Sequence, residues 1–224
     1  TLNNVVRPTV TPLETGGFIA AWTSPVDGDG FGVYARRFDA GGNPAGEEFL
    51  VNTTTTNDQE QPHIVAMNDG GFIVTWTSVN QDGSFEGVYA QRYDANGNTI
   101  SEETLINTTV HLSQAVPSTV GLENGGFVVV WQSQEQDGDS FGIFAKQYNP
   151  NGTIARDEFQ VNTFTDDLQS LAQIKATPDG GYIIIWESEG QDGDRQGIYG
   201  QRFDRFSNPI EGEFRINDGV NASQ

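Results

Sequence analysis

G-G-F-I-V-T-W-T-S-V-N-Q-D-G-S-F-E-G-V-Y-A-Q-R-Y-D, running from Gly70 to Asp94, decides how the chain folds. Two glycines open an apolar run that ends near Trp76, an acidic loop follows at Asp82 and Gly83, and a second apolar run carries Gly87-Val-Tyr-Ala. The stretch occurs four times. Its copies are anchored at Trp22, Trp76, Trp131 and Trp186, which stand 54, 55 and 55 residues apart. Self-similarity at a fixed period of this size indicates a repeat architecture, with units at about 1–57, 58–112, 113–167 and 168–224.

Each unit reads as four short strands. Strand A is weakly apolar, as in Q-P-H-I-V-A-M-N-D from Gln61 to Asp69, and carries proline near its start, where a ladder donor is least missed. Asp69-Gly70 and Asn124-Gly125 turn the chain, because a type I′ hairpin needs positive φ at both central residues. Strand B (F-I-A-A-W, F-I-V-T-W, F-V-V-V-W, Y-I-I-I-W) is apolar at every position, which predicts a sheet covered on both faces. Strand C (G-V-Y-A-Q-R-Y-D and its counterparts) follows the acidic loop. A second turn comes next: A-G-G-N, A-N-G-N, P-N-G-T or R-F-S-N. Strand D, E-T-L-I-N in the second copy, ends the unit. No helical period occurs. Four-stranded units in tandem predict an all-β fold, a β-propeller of four four-stranded antiparallel blades filling 1–224 as a single domain. The alternatives are half of an eight-bladed dimer, hence a homo-oligomer, or part of a larger ring.

Composition excludes several classes. With 31 acidic against 11 basic residues the net charge is −20, the wrong sign for a phosphate backbone, so no nucleic acid is expected. No apolar run approaches the length of a membrane span, so no membrane insertion is expected. There is no cysteine, hence no disulfide framework and no thiolate metal site. The chain starts at Thr1 without a basic and apolar leader, which reads as a mature product or an excised piece.

Blade connectivity brings the B–C loops and the D-to-A links to one end. That end gathers Asp27, Asp29, Asp82, Asp137, Asp139, Asp192 and Asp194, oxygen donors of the type calcium prefers, or plain turn chemistry. It also gathers Asn52, Asn107, Asn162 and Asn217, and the aromatics Phe31, Phe85 and Phe141. Those rings and amides form an expected ligand site for carbohydrate, unless each ring folds under its own loop. The strand C arginines Arg37, Arg92 and Arg202, replaced by Gln147 in the third copy, are expected to pair with carboxylates such as Glu48 or Glu103, or with loop carbonyls, and not to bind ligand. His63 and His111 occupy non-equivalent positions, which leaves no Ser-His-Asp or zinc pattern. The acidic residues recur almost equally in every copy, whereas a catalytic site breaks such symmetry.

G-G-F-x-V-x-W-x-S, Q-D-G, G-V-Y-A-Q-R-Y-D-A-N-G-N and E-x-x-V-N-T resemble a repeat of very large secreted bacterial proteins, adhesins and polypeptides with RTX-type calcium repeats. The resemblance spans essentially the whole chain and implies an extracellular propeller module. The resulting expectation is a non-catalytic, calcium-assisted, carbohydrate-binding adhesive module. A structural spacer is the second reading, and a polysaccharide-active enzyme the third.

Overall fold

The computed structural model describes residues 6–218 apart from 15, 26, 194 and 195. It contains sixteen strands among the described residues and divides into two compact units, Thr1–His111 and Leu112–Gln224. In the first unit, β1 (Val6–Pro12), β2 (Phe18–Ser24), β3 (Gly32–Phe38) and β4 (Phe49–Leu50) form one antiparallel sheet in chain order. The strands β5 (Gln59–Ala66), β6 (Phe72–Val79), β7 (Glu86–Tyr93) and β8 (Thr104–Leu105) form its second. The second unit repeats the plan. Its sheets are β9 (Gln114–Gly121), β10 (Phe127–Gln134), β11 (Phe141–Tyr148), β12 (Ile154–Gln160), and β13 (Gln169–Ala176), β14 (Tyr182–Glu189), β15 (Gln196–Phe203), β16 (Pro209–Arg215). These are the expected four-stranded antiparallel blades.

Periodicity predicts strands covered on both faces, and β6 and β10 are buried at nearly every position. The equally apolar β2 and β14 instead alternate buried and half-buried residues, so one face of each is less covered. Trp76, Trp131 and Trp186 are fully buried, and each unit holds one continuous apolar core. Strand A carries a bulge in all four copies, at Arg7, Gln61, Val116 and Leu171, each with positive φ. Proline follows the first three, so the missing donor falls where the ladder is already interrupted.

The recurring phrases of the sequence form one lock per blade. The aspartate of V-D-G or Q-D-G folds its carboxylate onto the first glycine of strand C. A β-carbon at Gly32, Gly87, Gly142 or Gly197 would come within 2.7, 2.8, 2.2 or 3.0 Å of Oδ2 of Asp27, Asp82, Asp137 or Asp192. Only glycine allows that approach. The asparagine ending strand D fastens the same point. Its Oδ1 accepts from the backbone N–H of Val33, Val88, Ile143 and Ile198 at 2.7–2.8 Å. Nδ2 of Asn52 donates to Asp27 at 3.4 Å, and Nδ2 of Asn162 to Asp137 at 3.0 Å.

A strand D glutamate then ties each second blade to the link that enters it. Glu103 accepts from the Thr53 N–H at 2.6 Å and Glu213 from the Thr163 N–H at 2.8 Å, while Gln81 and Gln191 donate to the same carboxylates. Adding one methyl at Gly142 therefore collides with Asp137. The predicted cost of Gly142→Ala is about 1–3 kcal/mol, read by urea unfolding, and it shrinks when Asp137 is also Ala. Gly46→Ala, where a β-carbon meets nothing within 4 Å, is predicted to change little.

Candidate active site

The B–C loops and D-to-A links meet as predicted. Phe31 N–H donates to Asp58 at 2.9 Å, Asp167 N–H donates to Asp139 at 3.0 Å, and Asn57 N–H lies 3.5 Å from Asp29. Phe85 is exposed, whereas Phe31 and Phe141 are half-buried. Asn52, Asn107 and Asn162 are buried and spend their amides inside the lock; Nδ2 of Asn52 and Asn162 also reaches Gln59 and Gln169, and Asn217 accepts from Ile198. Asp27, Asp82, Asp137 and Asp192 lie against the strand C glycines; Asp29 and Asp139 are exposed, and Asp194 lies outside the described residues. Among the described residues no three His, Asp or Glu side chains are grouped to share one ion. One oxygen each on Asp27, Asp82 and Asp137 is nevertheless buried without a hydrogen-bond partner. In the fourth copy Arg215 places its guanidinium 2.7 Å from Asp192.

The repeat is broken most deeply at the other end of the second unit, among the A–B and C–D turns. The C–D turns read Asp39-Ala-Gly-Gly-Asn, Asp94-Ala-Asn-Gly-Asn and Asn149-Pro-Asn-Gly-Thr, but Asp204-Arg-Phe-Ser-Asn in the fourth copy. Ser207 occupies the position of Gly42, Gly97 and Gly152 and keeps their left-handed backbone, with φ 65°. Holding a side chain there costs conformational energy unless the surroundings enforce it. They do. Ser207 is fully buried, its hydroxyl donates to Gln147 Oε1 at 2.6 Å and accepts from the Tyr182 phenol, and its carbonyl accepts from Arg156. Burial pushes the Tyr182 phenol well above its ordinary range, so it stays protonated and donates. Gln147 also donates to the Arg205 carbonyl at 2.9 Å. The third copy's exception, Gln147 for arginine, and the fourth copy's Arg-Phe-Ser are thus one structural change.

This change places Arg205 at a cavity of about 250 Å³ lined by Glu123, Asn124, Asp179, Gly180 and Arg205. The Arg205 guanidinium lies 4.8 Å from the centre of the Phe206 ring, which remains 62 % exposed. Glu123 projects from the A–B turn of the third blade, and its Oε2 is 3.6 Å from where a β-carbon on Gly180 would sit. Asp179 accepts from Thr177 Oγ1 and from the Gly181 N–H at 3.3 Å, and pairs with Arg202 at 2.9 Å. The Thr177 hydroxyl first, then the Gly181 amide and Arg202, holds the Asp179 carboxyl below the usual carboxylate range. Two of the strand C arginines therefore pair with A–B turn aspartates, Arg92 with Asp69 and Arg202 with Asp179, in place of the strand D glutamates expected. The correct partners stand 23 residues upstream, and the hairpin register brings them back.

No protein-family model matches the chain, and no curated protein sequence does. Solved structures do match. An α-L-arabinanase of Penicillium chrysogenum complexed with arabinobiose is 12% identical, with TM-score 0.65, covering 95% of this chain and 66% of that one. A thermostable family-43 glycoside hydrolase is 9% identical, with TM-score 0.59 and coverages of 98% and 78%. An endo-arabinase of Bacteroides thetaiotaomicron is 15% identical, with TM-score 0.52 and coverages of 95% and 75%. The fold class is therefore the β-propeller. The expectation of a non-catalytic module with no enzyme activity is corrected, because the fold is shared with glycoside hydrolases. The acidic residues recur from copy to copy, but Gln147, Arg205, Phe206 and Ser207 break the symmetry of the repeats together.

Because Asp179 titrates lower folded than unfolded, its contribution to stability is full above the ordinary carboxylate pKa and is lost as pH falls through the folded value. Melting curves between neutral and acid pH are predicted to fall less steeply for Asp179→Asn than for wild type. Ser207→Gly relieves the backbone but strands Gln147 and Tyr182, so urea unfolding should show a net loss of about 1–3 kcal/mol.

Proposed function

We propose that the chain is a polysaccharide-active enzyme that hydrolyses glycosidic bonds at the Glu123–Asp179 cavity. The observation that carries this reading is one cavity lined by two carboxylates and an arginine, with an exposed aromatic against that arginine, the last two absent from the other repeats. Glycoside hydrolysis requires one carboxylic acid to protonate the leaving oxygen and one carboxylate to act at the anomeric carbon or on the attacking water. Asp179, held ionised by Thr177, Gly181 and Arg202, takes the second role. Glu123 donates its proton to the glycosidic oxygen as the C–O bond breaks. Water supplies the oxygen that bonds to the anomeric carbon, and its proton passes to Asp179. Phe206 offers a flat apolar face to a sugar ring, and Arg205 orients hydroxyls.

The glycoside hydrolases that share the fold support a polysaccharide as substrate, and arabinan is the first to test. Reducing-sugar release from arabinan is expected. Glu123→Gln and Asp179→Asn are each predicted to lower kcat by about 10²–10⁴-fold, with melting temperature nearly unchanged for Glu123→Gln. Phe206→Ala is predicted to raise KM. A wild-type chain that releases nothing from arabinan, xylan or sialosides sinks the reading.

A secreted parent protein and calcium at the B–C loops complete the proposal. The repeat's resemblance to secreted bacterial modules supports the first. The partnerless buried oxygens of Asp27, Asp82 and Asp137 support the second, and where Asp192 has Arg215 the chain supplies its own cation. The ion would stabilise the loops and takes no part in the chemistry. Chelator is predicted to lower the melting temperature by several degrees, and an unchanged curve removes calcium from the account.

A further inference from the structure

The two units differ in strand D. In the second unit β12 and β16 each run seven residues, whereas β8 covers only Thr104–Leu105 and pairs with Ala90 and Tyr89. Between Thr99 and Glu103 the chain leaves the edge of β7, held by the Ile100 N–H on the Arg92 carbonyl at 3.1 Å and by Gln91 Nε2 on the Ser101 carbonyl at 2.6 Å. The detour opens a cavity of about 490 Å³ in the first unit, in the size range of small-ligand sites. Every residue lining it carries a hydroxyl, an amide or a carboxylate: three threonines, one serine, two glutamines and two glutamates. None is aliphatic or aromatic.

That lining selects its ligand by exclusion as much as by attraction. Glu102 and Glu103 repel phosphate, sulfate and uronate, and no aliphatic or aromatic residue lines the cavity to favour a lipid or a flat aromatic. Glu103 accepts from the Thr53 N–H, from Thr53 Oγ1 at 3.0 Å and from Gln81, so one side of the cavity is fixed in advance and its carboxylate is already occupied. Gln91 is almost completely buried and fixes the floor. Glu102 is exposed, and with the hydroxyls of Thr99 and Ser101 it presents a row of donors and acceptors along the outer edge. Vicinal hydroxyls match such a row, each donating to one oxygen while accepting from the next. The geometry points to a second saccharide site here, for a neutral oligosaccharide, apart from the Glu123–Asp179 cavity of the other unit. It holds the polymer and does no chemistry. Only the choice of a sugar probe rests on the carbohydrate reading above.

The test is NMR titration of the full chain carrying Asp179→Asn, which blocks turnover, with arabinotriose and then xylotriose. Saturable shifts of the Gln91 side-chain amide and the Ser101 backbone amide are expected. Ser101→Trp, which fills the cavity, abolishes them while wild-type reducing-sugar release from a soluble substrate persists when Ser101→Trp is placed alone. If Ser101→Trp lowers the melting temperature markedly, Glu102→Gln with Thr99→Val replaces it, with the same loss of shifts expected. Shifts confined to the Glu123–Asp179 cavity, or no saturable shift for either sugar, overturn the second site and leave hydrolysis standing. Shifts at Gln91 in a chain that hydrolyses nothing uphold this site and remove the hydrolase reading.

Discussion

Everything in the structure leans on a carboxylate pressed against a glycine. In each blade the loop aspartate lies where a β-carbon on the first glycine of strand C would stand, and in the third it would be only 2.2 Å away. The asparagine ending strand D closes the same point from below, holding the strand C amide at 2.7 Å in three copies. Side chains 25 residues apart thereby fix how the link to the next blade leaves the sheet. The strand D glutamate, receiving Thr53 or Thr163 and the neighbouring glutamine, carries that constraint to the adjoining blade. The phrases Q-D-G, strand C glycine and E-x-x-V-N-T are parts of this one device.

That device explains why the acidic loops are poor places to look for a reaction. Their best-placed carboxylates and amides are spent on holding the backbone, and what remains buried and partnerless suits a stabilising ion better than a substrate. A substrate site is better sought where side chains depart from what the repeat requires. The turn end of the second unit has such departures, because Arg205 and Phe206 stand where the other copies have Ala40-Gly41, Ala95-Asn96 or Pro150-Asn151. Those positions need no side chain to make the turn. The strain at Ser207 is balanced by Gln147, Tyr182 and Arg156, which is how one departure came to require another.

The sequence revealed the blades well and the site poorly, for separable reasons. Strand B, the Asn-Gly and Asp-Gly turns and the 55-residue period are local signals, and they predict the sheets correctly. The B–C loops do meet the links, because connectivity alone decides which loops share an end. Recurrence across the copies marks a structural need and not a ligand site. Asn52, Asn107 and Asn162 recur because the lock needs them, and Arg92 and Arg202 recur because a hairpin brings Asp69 and Asp179 back to them. The informative positions were exceptions, Gln147 in one copy and Arg205-Phe206-Ser207 in the next. Each is visible in the sequence, but they lie about 60 residues apart, and only the packed second unit shows that they touch. The shortened β8 was invisible, since Thr104-Leu105 resembles its counterparts and the detour before it breaks no pattern.

The central claim is that function sits where the repeat is broken, at the turn end of the second unit. A crystal structure of the Asp179→Asn chain soaked with an arabinan oligosaccharide tests it most directly. The account predicts a sugar ring on Phe206 with its glycosidic oxygen facing Glu123. A sugar seated instead on the acidic B–C loops beside Phe85, with the Phe206 face bare, contradicts it.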